Sequence, residues 1–369
     1  MAKTNNSDQD MLAIAQSCIA MAKSAGAGDA AARAYRVRDV SLDYRDGKVE
    51  KISESTTRGL NIQLYVDGRF SSVSTSDLRP DALKTFISDS IAVAKAIAPD
   101  PFRALPDPAL YKGQASTDLQ LEDPKYFGIT ADDGRKMAKV VHDAARAVKG
   151  SNVINSVTAS FSSNLVENWM VTSNGFSGSN RGTSFFVSAG VSAKDADGRR
   201  PEEYDYAGSR FWGAVPDPAR VGASAAERTL RRLGSKKGET MAMTVIVDNR
   251  AAGRLVGMLG QALQGGSLQQ KRSFLEGKLG QQVVSPLMTI TDDPLIPKAF
   301  GSRKFDNEGI AAKPRLVFEN GVLKSYYIDT YYGRKLKMEP TSGGTSNLTW
   351  KLGAKSQKEL FADAKEALL

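Results

Sequence analysis

Between residues 8 and 23, apolar side chains fall at Met11, Ala15, Cys18 and Ala22, the spacing of one helical face. The run stops at "SAGAGD", where glycine supplies the positive φ that ends helices. The period then changes to two. "VSLDYRDGKVEKISES" and "LNIQLYVDGRFSSVSTS" alternate about Asp46-Gly47 and Asp67-Gly68, and Asp-Gly between alternating runs predicts tight hairpins because both turn residues tolerate φ > 0. Leu60, Ile62, Leu64 and Val66 predict a sheet with one buried and one wet face. A helix follows over about 80–98, then the proline-rich connector "APDPFRALPDPALY" and a second helix over about 131–148. On that helix Met137, Val140, Val141, Ala144 and Val148 form the apolar stripe, which places His142 on the opposite, solvent side. Strands run from Val153 to Tyr206, and a short helix from Pro218 to Leu233 leads to the polar separator "GSKKGE".

The last section opens with residues 245–247, read as a buried strand, and enters "DNRAAGRLVGMLGQALQGG", residues 248–266. Asp248 or Asn249 can cap a helix whose apolar stripe is Ala252, Leu255, Val256, Leu259 and Leu263. Gly253, Gly257 and Gly260 form a second ridge. Interior helical glycine costs about 1 kcal/mol relative to alanine, so the ridge predicts a close neighbour, either tight internal packing or a bound surface. A hairpin is expected at Asn320-Gly321, and Ser356 with Glu359 spells a capping box. No helix stop follows, so the C-terminal end reads as truncated. These elements predict an α+β protein in three parts: a helix-flanked antiparallel sheet over 1–110, a central α+β section over 111–235, and a β-rich C-terminal domain over 236–369 carrying the glycine helix at about 249–264.

Composition excludes more than it assigns. The net charge of +9 permits polyanion binding, but short basic runs such as Arg231, Arg232, Lys236 and Lys237 lack interleaved stacking aromatics, and a solvated basic face accounts for them. Acidic Asp8 and Asp10 stand where a secretory signal needs basic residues, and no apolar run spans a bilayer. A cytoplasmic setting without a membrane partner is expected. One cysteine excludes an internal disulfide, and its place on the first apolar stripe predicts a core thiol. One histidine excludes the paired-imidazole zinc helix, and neither G-x-S-x-G nor a P-loop occurs. Gly26, Gly28 and Ala31 spell G-x-G-x-x-A, but after a helix rather than a strand, which argues against a dinucleotide site. Asp292 with Asp293 and Asp306 with Glu308 are the remaining oxygen-ligand pairs for a hard cation, weighed against ordinary capping in loops.

Several separated blocks in order carry a family resemblance: "RDGKVEKISESTTRGLNIQLYVDGRFSSVSTSDL", "DPFRALPDP", "GGSLQQKRSFLEGKLGQQV", "DNEGIAAKPRLVFENGVLKSYYIDTYYGRK" and "SGGTSNL". The sequence resembles the TldD/PmbA family and, within it, the PmbA (TldE) branch. In that family, TldD-type subunits carry an H-E-x-x-x-H zinc helix that falls near Val256 to Gln261 here. Gly257 then stands at the catalytic glutamate and Gln261 at the second histidine. The resemblance implies a degenerate metal helix (Gly253, Gly257, Gly260, Gln261) with no catalytic residue and no cofactor in this chain. Zinc is expected in a TldD-type partner, within a cytoplasmic heterodimeric peptidase that handles unfolded peptides. An extended peptide pairs with strand edges, which makes Arg181 and Phe185 in "GSNRGTSFFVSAG" and Gln264, Ser267, Lys271 and Arg272 in "GGSLQQKRSF" the candidate peptide or partner contacts. Family members usually continue beyond the point matching Leu369. The alternative is a stand-alone binding or modulator protein, either a peptide chaperone or a nucleic-acid-associated factor; nucleic acid is disfavoured.

Overall fold

The computed structural model describes residues 6–364 and 367–368. It begins with helix α1 (Asn6–Ser24) and three antiparallel strands, β1 (Asp29–Arg45), β2 (Lys48–Val66) and β3 (Arg69–Thr75). Asp46 and Gly47 have φ of 46° and 90°, and Asp67 and Gly68 have φ of 49° and 72°. Both hairpin turns therefore use the doubly left-handed geometry their sequences favour. Helices α2 (Pro80–Ala96) and α3 (Ala131–Ala147) follow, then strands β4 (Ile154–Thr172), β5 (Ser177–Ala193) and β6 (Glu202–Ser209), and helix α4 (Pro218–Arg231). The six strands form one antiparallel sheet in the order β3-β2-β1-β4-β5-β6, closed by the β1–β4 ladder from Ala31↔Thr172 to Arg45↔Thr158. The α+β expectation with a helix-flanked antiparallel sheet holds.

All four helices cover one face of this sheet, in two separate pairs. At one end α1 and α2 bury Ala30, Ala32, Ala34 and the row Leu60, Ile62, Leu64, Val66, with Cys18 fully enclosed. At the other end α3 and α4 bury Leu42, Tyr44, Phe161, Phe185, Val187 and Val191. The long strands leave a gap between the pairs, and charge fills it. Arg36 donates from Nε and Nη2 to the two Glu167 carboxylate oxygens at 2.5 and 2.9 Å, and Arg181 Nε lies 3.0 Å from Glu122 and 3.4 Å from Glu167. Cross-strand register brings these residues together, since Arg36 pairs with Glu167 and Glu167 with Arg181.

Helix α3 departs from expectation. Its buried row is Gly134, Ala138, Val141, His142 and Ala145, whereas Val140 is exposed. His142 is buried with its ring edge-on to Tyr44, centroids 5.3 Å apart. The stripe was misplaced because the closest packing on this helix uses small residues. A Cβ on Gly134 would lie 2.3 Å from Phe161 Cδ1, and one on Gly222 of α4 would lie 1.9 Å from the Val141 carbonyl oxygen.

The C-terminal unit contains β7 (Thr244–Val245), α5 (Asn249–Ala262), α6 (Gly265–Gln269), β8 (Ile290–Asp292), β9 (Arg315–Glu319), β10 (Val322–Leu323), α7 (Thr330–Leu336), β11 (Leu348–Trp350), α8 (Gln357–Asp363) and β12 (Ala367–Leu368). Four short strands pair in the order β10-β9-β8-β11 over a core of Leu263, Leu268, Leu275, Ile290, Val317, Phe318 and Tyr327. The Asn320-Gly321 turn and the Ser356–Glu359 capping box are present. The unit meets the wet face of the large sheet through Phe305, which packs with Met170 and Phe176. The expectation attached to Leu369 lies outside the described residues.

Candidate functional site

Helix α5 is fastened at both ends. Asp248 caps it by accepting from Arg250 N at 2.9 Å, and Arg250 reaches β6, donating to the Tyr204 carbonyl at 3.2 Å and pairing with Asp205 at 3.3 Å. At its far end Ala262 and Leu263 enter the C-terminal core, and Tyr327 N donates to the Leu263 carbonyl at 2.9 Å. Between these ends the helix stands in solvent. A Cβ on Gly253, Gly257 or Gly260 would meet nothing within 4 Å, and Leu255 and Met258 are 49% and 63% exposed. This corrects the expectation of a buried stripe: Leu263 is buried, Ala252 and Leu259 are half-buried, and the side chain of Val256 lies outside the described residues. Val245 and Val247 are exposed too, because β7 pairs only in parallel with β12 and nothing in the described chain covers it.

Zinc needs about three His, Cys, Asp or Glu donors converging on one point. The middle of α5 offers Arg254, Gly257 and Gln261, and among the described residues no three such donors converge. The helix therefore does not fit the metal. Gln261 instead donates to Ser267 Oγ at 3.3 Å, and Gln264 to the Gly260 carbonyl at 3.4 Å.

The structure separates the other candidate contacts. Lys271 and Arg272 are exposed just beyond α6, and Gln264 is half-buried. Ser267 is buried inside the turn, where its carbonyl accepts from Arg272 N at 2.9 Å. Phe185 is fully buried between Tyr126 and Trp212, so it is a core residue and not a surface contact. Alternation along β5 turns odd positions toward the helices, and Phe185 falls where α3 and α4 cover them. Arg181 shares that face but lies in the charged gap.

The acidic pairs weighed as cation ligands are occupied as hydrogen-bond acceptors. Asp306 Oδ1 accepts from Glu308 N and Ile310 N at 2.9 and 3.1 Å, and the Glu308 carboxylate accepts from Thr330 N and Oγ1 at 2.9 and 2.6 Å. Asp292 accepts from Ser346 N, and Asp293 from Leu295 N. Burial pushes both Asp306 and Glu308 above the usual carboxylate range. Their loop is a clamp between units, because Arg33 of β1 donates to Asn307 Oδ1 and to its carbonyl at 3.0 and 2.8 Å while Glu308 holds the start of α7. Beside it lies a groove of about 360 Å³ bounded by Tyr65, Phe70, Arg103 and Tyr331. The Arg103 guanidinium sits over the Phe70 and Tyr331 rings, 4.5 and 3.6 Å from their centroids. Sequence reasoning missed Arg33, Arg103 and the Arg36–Glu167 pair, whose partners lie 131 or more positions away or on another element.

A long antiparallel sheet clamped to a small C-terminal unit, with a solvent-facing glycine helix fastened to both, defines a modular α+β protein. Three successive family models match: PmbA/TldA metallopeptidase domain 1 over residues 30–94, the central domain over 124–233 and the C-terminal domain over 240–369. The chain belongs to the PmbA/TldD metallopeptidase family. It is 30% identical over 342 residues to the metalloprotease PmbA homologue of Haemophilus influenzae, covering 92% of this chain and 74% of that protein. A crystal structure from Bacteroides thetaiotaomicron, of a protein described as a candidate modulator of DNA gyrase, superposes with a TM-score of 0.92 at 35% identity, covering 100% of this chain and 82% of that one. TldE from Thermococcus kodakarensis shares the fold, with a TM-score of 0.78 at 17% identity over 95% of this chain and 80% of that one.

Proposed function

We propose that this chain is a zinc-free subunit of a TldD/TldE-type heterodimeric metallopeptidase, contributing partner-contact and peptide-binding surface while a TldD-type subunit supplies zinc and the chemistry. The observation that carries the reading is α5. Its glycine ridge and its apolar Leu255 and Met258 face solvent in the chain alone, and an apolar surface with bare backbone is what a partner approaching at close range covers. The substituted metal-helix positions Gly257 and Gln261 support a non-catalytic role, and the likeness to TldE supports the branch. Among the described residues no helix is long and apolar enough to cross a membrane, and the reading places the heterodimer in the cytoplasm with unfolded peptides as substrate. Lys271, Arg272 and Gln264 remain the proposed contacts beside α5.

The test is degradation of an unstructured peptide by this chain, by a zinc-bearing TldD-type subunit and by their mixture, with zinc content recorded for each. Activity that requires the mixture, with zinc only in the partner, supports the reading. Stoichiometric zinc and cleavage in this chain alone overturn it.

A further inference from the structure

Strand β5 is paired with β4 from Ser177 to Ala193, but with β6 only from Phe185 to Ser192. Over residues 177–184 no strand among the described residues lies on its outer side. The direction of the main chain there is set by Thr183, whose N–H donates outward to the Leu121 carbonyl at 2.9 Å and whose carbonyl accepts from Arg210 on the same side. The ladder runs without a bulge from Val157 and Val191 to the hairpin turn. Alternation therefore turns the N–H and C=O of Ser179 and Ser177 outward as well.

Beyond Thr183 the segment over residues 118–121 diverges from β5 and leaves a groove of about 560 Å³ along the strand edge. Residues 179–181 line it together with half-buried Leu121 and Phe211 and with residues 303–305 of the C-terminal unit. Charge in the groove is unbalanced. Glu122 is engaged by Arg181, and Arg303 donates to the Thr345 and Gly344 carbonyls beside Asp306, whereas Lys304 has no ion-pair partner among the described residues.

We propose that this groove is a peptide-docking site distinct from α5, in which an extended peptide carrying an acidic side chain adds as a strand to the outer edge of β5 at Ser179. Main-chain hydrogen bonds give affinity in this mode and flanking pockets give preference. Here Phe211 receives an apolar side chain and Lys304 an acidic one. The inference rests on the peptide-binding part of the proposed function and locates it on the central part of the chain.

The experiment is fluorescence-anisotropy binding of a short labelled peptide alternating glutamate and leucine to the full chain, with the same peptide N-methylated at alternate residues as the main-chain probe. Ser179→Pro removes one outward N–H while leaving the β4 ladder intact, a position where an edge strand tolerates proline. It is expected to weaken binding about tenfold, as N-methylation is on the peptide's side. Lys304→Glu is expected to reverse the preference from a glutamate-leucine to a lysine-leucine peptide, and reports on the site independently of Ser179→Pro. Undiminished binding in both variants overturns the groove and leaves peptide binding elsewhere on the chain standing. Absence of binding to the unaltered chain overturns the groove and the peptide-binding part of the proposed function together.

Discussion

Replacing Gly253, Gly257 and Gly260 together by alanine separates two reasons for glycine in a helix. If internal packing required them, three methyl groups would clash and the isolated chain would lose stability. The structure gives each methyl open space, with nothing within 4 Å, and none of the three has positive φ. The substitutions then contribute only helix propensity, about 0.8–1 kcal/mol each, or about 2.5–3 kcal/mol together. Because α5 is held only at its ends, its opening is local, and the gain appears in its own amides before it appears in the global midpoint. Amide hydrogen exchange over residues 254–260 should slow roughly a hundredfold, at about 1.4 kcal/mol per factor of ten. Unchanged or faster exchange refutes the open-face geometry. Gly222→Ala is the opposite control: its methyl would sit 1.9 Å from the Val141 carbonyl, so α3 and α4 must move apart, at a cost of about 1–3 kcal/mol in urea unfolding. The association arm uses the same triple variant with a TldD-type subunit. Methyls on a surface covered closely by a partner should weaken assembly in sedimentation or co-purification although the free subunit is more stable. Full assembly with undiminished peptidase activity removes α5 from the interface.

Three further outcomes follow from groups outside α5. Asp306 has its folded pKa raised by burial, so the folded state holds that proton more tightly than the unfolded state, and this group's contribution favours folding below the ordinary aspartate value of 3.8 and is lost as pH rises through the folded pKa; Asp306→Asn keeps an Oδ1 acceptor for Glu308 N and Ile310 N and should raise the melting temperature at pH 7 while leaving pH 3 nearly unchanged, and a fall at pH 7 would contradict this. Glu167 is 1% exposed between Arg36 and Arg181, so Glu167→Gln removes a buried carboxylate from two guanidinium groups and should cost about 3–5 kcal/mol in urea unfolding, against a smaller loss for the double change with Arg36→Met. Cys18 is enclosed with its thiol pushed up to about 11 by burial, so alkylation by iodoacetamide at pH 8 should proceed only as fast as the surrounding helices open, and rapid labelling of the folded chain would show that core to be loose.

How far the sequence reached depended on whether a signal was local. The Asp-Gly and Asn-Gly turns needed only the φ values their own residues prefer, and Leu60, Ile62, Leu64 and Val66 needed only alternation beneath a helix layer; each is where its pattern places it. His142 went astray because apolar identity was taken to mark the buried face, while α3 buries its smallest residues, and that choice is made by Phe161 and Gly222 on other elements. Helix α5 went astray for a related reason. A stripe and a glycine ridge specify that a neighbour fits, but carry no information on whether it belongs to the same chain. The free edge of β5 is less legible still, since it exists only because β6 stops at Ser209, opposite Phe185, and the 118–121 segment turns away past Thr183. Its residues "GSNRGTS" fall in the stretch expected to meet a peptide, but that expectation named the side chains of Arg181 and Phe185, which face the helix layer, and not the main chain left unpaired by β6. The charged gap has the same origin. Arg36, Glu167 and Arg181 read as three unrelated polar positions until register aligns them between two helix pairs that leave the middle of the sheet uncovered. Surfaces that must be completed by something else, whether a partner over α5 or a strand along β5, are therefore where a sequence consistent with its own fold says least, because the stabilising neighbour has no position in the pattern.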